Sequence, residues 1–153
     1  MRKFVIGALL MSLVGLANAA SIQFCEGIDK SFKPINANDT FVGQQFSFIV
    51  IYEKPVNQMN LVVSLYKIVD NTSQVIDRRT FPIDPICNAF GVENTTVTEY
   101  GTYKISVSKE NGSDVVEGYV NLVEPKAGEP APEIKPEKTR SQKLADIFNK
   151  YSK

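Results

Sequence analysis

The chain has 153 residues and sets 17 lysine and arginine side chains against 17 aspartate and glutamate, so no net charge draws it toward nucleic acid. It contains no histidine, which excludes Ser-His-Asp and Cys-His nucleophile arrangements and histidine-bound zinc or copper. What acid–base chemistry is left would fall to carboxylates.

The first residues have the three-part plan of a secretory signal peptide: Arg2 and Lys3, an apolar run from Phe4 to Leu16, and the small residues Ala17-Asn18-Ala19. Cleavage is expected before Ala20. The run is shorter than the about 20 apolar residues of a permanent membrane span. Cys25 lies too far beyond Ala20 to carry a lipid at the cleavage point. The mature chain, about 134 residues, is one domain's worth and is expected in the periplasm or outside the cell. In that compartment Cys25 and Cys87 read as a structural disulfide, closing a loop of about 60 residues and contributing about 4 kcal/mol by chain entropy.

From Phe41 the apolar residues recur at the period of strands. Phe46, Phe48, Val50 and Tyr52 alternate with Ser47, Ile49 and Ile51, a segment apolar on both faces and hence central or covered. Leu61, Val63 and Leu65 alternate with Val62, Ser64 and Tyr66. Val75 to Phe81 is more polar, with Asp77, Arg78 and Arg79 in its middle, which suits an edge. The stretch from Pro82 to Thr98 shows no clear period beyond a short strand at Asn94 to Thr98. Tyr103, Ile105 and Val107 alternate with Lys104, Ser106 and Ser108, and Val116 to Leu122 follows with the same period. Between them, Asn111-Gly112 is expected to take the positive φ angles of a tight hairpin turn.

Six or seven short strands and no helical period before residue 139 predict an all-β fold, a small antiparallel sandwich. Glu99-Tyr100-Gly101-Thr102-Tyr103 resembles the start of the penultimate strand of immunoglobulin-like domains, here of the kind found in bacterial exported proteins. The resemblance implies that Tyr103 locks a corner by bonding back to the backbone. Ile105 stands where the antibody pattern has its second cysteine, and there is no tryptophan.

After the sandwich, 20–124, the composition changes. Residues 125–138 are rich in proline and read as an extended linker. Within 139–153, Thr139-Arg140-Ser141-Gln142 has the form of a capping box, and Leu144, Ile147, Phe148 and Tyr151 fall on one stripe of a short amphipathic helix. Held away by the linker, that stripe is expected to dock on another exported protein or a second copy of the chain. A membrane surface fits less well, since Asp146 mixes with Lys143 and Lys150. A chain cut at Glu124 is expected to keep its stability.

Other features have plainer readings. Asp70-Asn71-Thr72-Ser73 and Asn36-Ala37-Asn38-Asp39 could offer oxygens to calcium but match turn chemistry better. The sequons at Asn38, Asn71, Asn94 and Asn111 matter only in a glycosylating host. Tyr100, Phe90 and Tyr119 are the rings expected at the surface. Neither cofactor nor metal is expected. The function that follows is a non-catalytic interaction module, with a sugar- or peptide-binding domain as the alternative and a small carboxylate-dependent enzyme as a third.

Overall fold

A computed structural model describes residues 19–143, so the segment up to Asn18, expected to be a signal peptide, lies outside the described residues. The described chain is all β, in two main sheets. One holds β1 (Ala20–Cys25), β5 (Gln45–Tyr52), β8 (Cys87–Thr96) and β11 (Lys138–Lys143), in the order β1-β5-β8-β11. The other holds β4 (Thr40–Val42), β10 (Val116–Val123), β9 (Gly101–Lys109), β6 (Asn60–Val69) and β7 (Thr72–Pro82), in that order. A small hairpin, β2 (Gly27–Ile28) with β3 (Pro34–Ile35), completes the set.

The sheets form a sandwich because each contributes one apolar face to a shared core. Phe24, Phe48, Val50, Phe90 and Val92 from the first sheet meet Leu61, Val63, Ile105, Val107, Val120 and Leu122 from the second. At one edge the sheets come so close that a Cβ on Gly118 would stand 2.8 Å from Phe24 Cε2 and Ile22 Cγ2. Tyr103 Oη donates to the Glu99 carbonyl oxygen at 2.7 Å, as expected, and fixes the corner that leads into β9. The architecture is compatible with an immunoglobulin-like fold.

β5 is apolar on both faces because both are covered. Its inner side faces the core, and on its outer side Ile49 lies under the β2–β3 hairpin with Cys25, Ile28, Phe32 and Ala89 in a second small core. β7 is an exposed edge, as its charges suggest. The β6–β7 hairpin turns on Asp70 and Asn71, at φ 51° and 61°, between the paired residues Val69 and Thr72. Two left-handed residues make the primed turn that matches strand twist, so this segment does turn chemistry.

The β9–β10 hairpin is present, with Val107 opposite Val116, but its connection is longer than a tight turn. Gly112 takes φ +81° and Asp114 φ 50°, while Asn111 uses its side chain instead, accepting from Ser113 N–H at 3.0 Å.

Three expectations are overturned. The disulfide is absent: Cys25 and Cys87 are buried free thiols. Cys25 stands opposite Ser47 of β5, whereas Cys87 lies two residues before Ala89, the partner of Ile51. They are therefore offset by about six residues, roughly 20 Å along the strands, when a bridge needs Cα atoms within about 7 Å. They also face opposite sides of the sheet, Cys25 in the small core and Cys87 in the large one.

Second, the capping box Thr139 to Gln142 is a strand, with Arg140 opposite Gly91 and Ser141 opposite Phe90. The helix stripe Leu144, Ile147, Phe148 and Tyr151 lies outside the described residues. Third, the stretch after Pro82 holds β8, a ten-residue interior strand between β5 and β11. Phe90, expected at the surface, is fully buried against Phe81 at 5.5 Å between ring centres.

Candidate functional site

The most developed site is built where the C-terminal segment crosses from the end of β10 to the edge of β8. Pro132 packs on Gly43, whose φ of +108° suits only glycine and whose missing Cβ would stand 3.1 Å from the proline ring. Gln45 then reads the main chain of the crossing segment in both directions. Its Nε2 donates to the Lys135 carbonyl oxygen at 2.7 Å, and its Oε1 accepts from Lys135 N–H at 3.0 Å. Asn94 Nδ2 donates to the Pro136 carbonyl oxygen at 3.0 Å. Arg79 closes the path with a bidentate pair to Glu137 at 2.6 and 2.8 Å. The proline-rich stretch, read as a linker that holds the tail off the body, is tied to it along residues 132–137.

Asn94 can do this because β8 bulges. Phe46 pairs with Thr95 and Phe48 with Val92, so Glu93 and Asn94 share one partner position at Ser47. Asn94 takes φ 64°, and its N–H donates to Ser47 Oγ at 3.0 Å. Bulges of this kind re-aim side chains next to functional sites.

Beside the crossing segment lies an open groove of about 640 Å³, bounded by residues 36–46 and 132–135. Phe41 and Phe46 form its floor, Val42 and Ile134 expose apolar surface on its rim, and Asn36, Asn38, Gln44, Gln45 and Asn94 bring carboxamides to it. Carboxamides both donate and accept, which suits an amide backbone or a hydroxyl-rich ligand. Glu26, also on the wall, accepts from Asn36 Nδ2 at 2.8 Å.

Beyond the groove the segment becomes β11 and pairs antiparallel with β8. Arg140 lies in one row with Gly91 and Ile49 on the outer face. Its guanidinium donates to the Ile28 carbonyl oxygen, stands 6.0 Å from the Phe32 ring centre, and lies 3.7 Å from the Glu93 carboxylate. Glu93 Oε1 accepts from Ile28 N–H at 2.8 Å, while its buried Oε2 makes no hydrogen bond. At the far end Lys143 pairs with Asp84 at 3.1 Å, and the Ile86 N–H together with this lysine holds the Asp84 carboxyl below its ordinary range.

The cysteines have no part in this site. Burial pushes the Cys25 thiol up to about 11, and burial likewise raises Cys87, which sits near Ser141. Cys25 should therefore react with neutral-pH alkylating reagents about a hundredfold more slowly in the folded protein than in denaturant, and Cys87 should be slowed as well. Two alkylated thiols after unfolding, counted by mass spectrometry of unreduced protein, are the expected result. A linked Cys25–Cys87 peptide would contradict the register above.

Among the described residues no three acidic or sulfur ligands converge to hold a metal ion. Of the rings expected at the surface, Tyr119 is exposed and Tyr100 half-buried. Gln45, Asn94 and Arg140 carry no sequence signal of function. No known protein family matches the chain, and no curated protein is found to be similar to it.

Proposed function

We propose that this chain is an exported, non-catalytic interaction module, an immunoglobulin-like sandwich that binds extended polypeptide. The observation that carries the reading is the way the body holds its own residues 132–143. Gln45 and Asn94 address main-chain atoms of that segment and β8 adds a main-chain ladder, so the body holds an extended backbone as such. The groove beside it brings further carboxamides, those of Asn36, Asn38 and Gln44, to a second segment. Export rests on the N-terminal residues, and β1 begins at Ala20, the residue expected to follow cleavage. The Tyr103 to Glu99 bond supports the immunoglobulin-like assignment.

A second reading, sugar binding on a sheet face, draws on one row across the five-stranded sheet. Tyr119, 57% exposed, stands opposite Lys104, which stands opposite Tyr66, with the ammonium 4.4 Å from the Tyr66 ring centre. The mature chain, immobilised and offered both a library of unstructured peptides and a glycan array, separates the two. Peptide binding weakened about tenfold by Gln45→Ala supports the first reading. Glycan binding lost in Tyr119→Ala, with no peptide retained, replaces it with the second.

A further inference from the structure

Resting on the polypeptide-binding reading, we infer that the outer edge of β8 is an exchangeable strand site for a partner segment of the form Arg-x-x-Lys, which the chain's own β11 occupies as a resident ligand. β11, Lys-Thr-Arg-Ser-Gln-Lys, has no apolar side chain, and none of its residues is fully buried. A strand held without apolar anchors owes its place to the ladder and to whatever charges seat it.

Two basic side chains three residues apart do the seating. Arg140 enters a recess made by the Glu93 carboxylate, the Ile28 carbonyl and the Phe32 ring, and Lys143 meets Asp84. Gly91, opposite Arg140, lets Ile28 pack down on the strand, since a Cβ there would stand 2.4 Å from Ile28 Cδ1 and 3.2 Å from the Phe48 carbonyl oxygen. The recess is therefore built from β8, β2 and the loop carrying Phe32, and an arginine supplied from elsewhere meets the same groups.

The resident strand also fills it imperfectly. Glu93 Oε2 is buried without a hydrogen bond, because Arg140 spends Nη1 on the Ile28 carbonyl and approaches the carboxylate only to 3.7 Å. A guanidinium free of the crossing segment could approach both carboxylate and carbonyl, a geometry in which charge-assisted bonds are strongest. Competition then sets the outcome. The tether keeps β11 at a high local concentration, so a foreign strand must fit better or arrive with further contacts, such as those the groove offers.

The test uses the full mature chain, its Arg140→Ala variant, and a fluorescent peptide of residues 136–143. Weakening the resident strand should raise affinity for the free peptide at least tenfold over the unaltered chain. The same peptide with alanine at the Arg140 position should lose that gain, and so should the double variant Arg140→Ala, Glu93→Gln. A cooperatively melting Arg140→Ala chain that binds the peptide no better than the unaltered chain overturns the inference, as does self-association of the variant in place of peptide binding. Hydrogen exchange of the unaltered chain gives a readout that needs no variant. β11 amides should exchange by a local opening well before those of β9 and β10, and exchange of all three only on global unfolding overturns it. Peptide-library binding that persists and depends on Gln45, beside a β11 that never opens, would sink the exchange and leave the broader reading standing.

Discussion

Phe90→Ala should lower the stability of the mature chain by about 3 to 5 kcal/mol, the range for removing a buried aromatic ring. For a domain of this size that is a fall in the melting midpoint on the order of 10 to 20 °C. Phe90 lies in the middle of β8, fully buried, with Val50 of β5 on one side and Ser141 of β11 on the other. Its ring meets Phe81 from β7, the edge of the opposite sheet, so the cavity left by alanine would open between the sheets. Neighbouring strands are fixed by ladders on both sides and can close little of that space. Tyr119→Ala, on the exposed face of β10, should change stability by no more than about 0.5 kcal/mol. Thermal and urea unfolding of the two variants give the comparison directly. Equal, small losses would mean that β8 is not an interior strand.

The contrast shows where the sequence speaks and where it is silent. β5, β6, β9 and β10 were legible because one or both of their faces are apolar at period two, and β7 because its charges mark an edge. β8 was not, although it is interior. Asn88, Glu93, Asn94 and Thr95 interrupt its pattern, and a bulge at Glu93 and Asn94 shifts the alternation by one residue. Glu93 and Asn94 are held by partners distant in sequence, the Ile28 N–H reaching Glu93 over 65 positions and Asn94 bonding to Ser47 and Pro136. Periodicity reports only what a segment does to its own faces. β11 was hidden for a related reason: a strand held by its ladder and two ion pairs needs no apolar residue, and Thr-Arg-Ser-Gln fits a helix cap equally well. The cysteines misled because an even count in a chain read as exported speaks to compartment, whereas bridging is a statement about register.

Cutting the mature chain after Glu124 should cost on the order of 4 kcal/mol or more, the reverse of what the composition of the tail suggests. The loss has two sources. Without β11, Arg140 is gone and the Glu93 carboxylate, with only 12% of its side chain exposed, keeps no cationic partner. Removing one member of such a pair costs about 3 to 5 kcal/mol, because the remaining charge stays desolvated. In addition β8 becomes an open edge along the six positions that β11 now pairs, and the inward-facing Phe90 and Val92 lose the strand that shields them at that margin. An unguarded edge of this kind also invites strand pairing between molecules. The cut chain should therefore melt more than 10 °C below the full mature chain and self-associate as its concentration rises. A second truncation, ending at Lys143, assigns the loss. If it melts with the full chain, the crossing segment and β11 account for the effect. A midpoint as low as that of the shorter chain would instead put Leu144, Ile147, Phe148 and Tyr151 in contact with the body. A chain cut at Glu124 that stays monomeric and melts within a few degrees of the full chain would show that β11 does not brace β8.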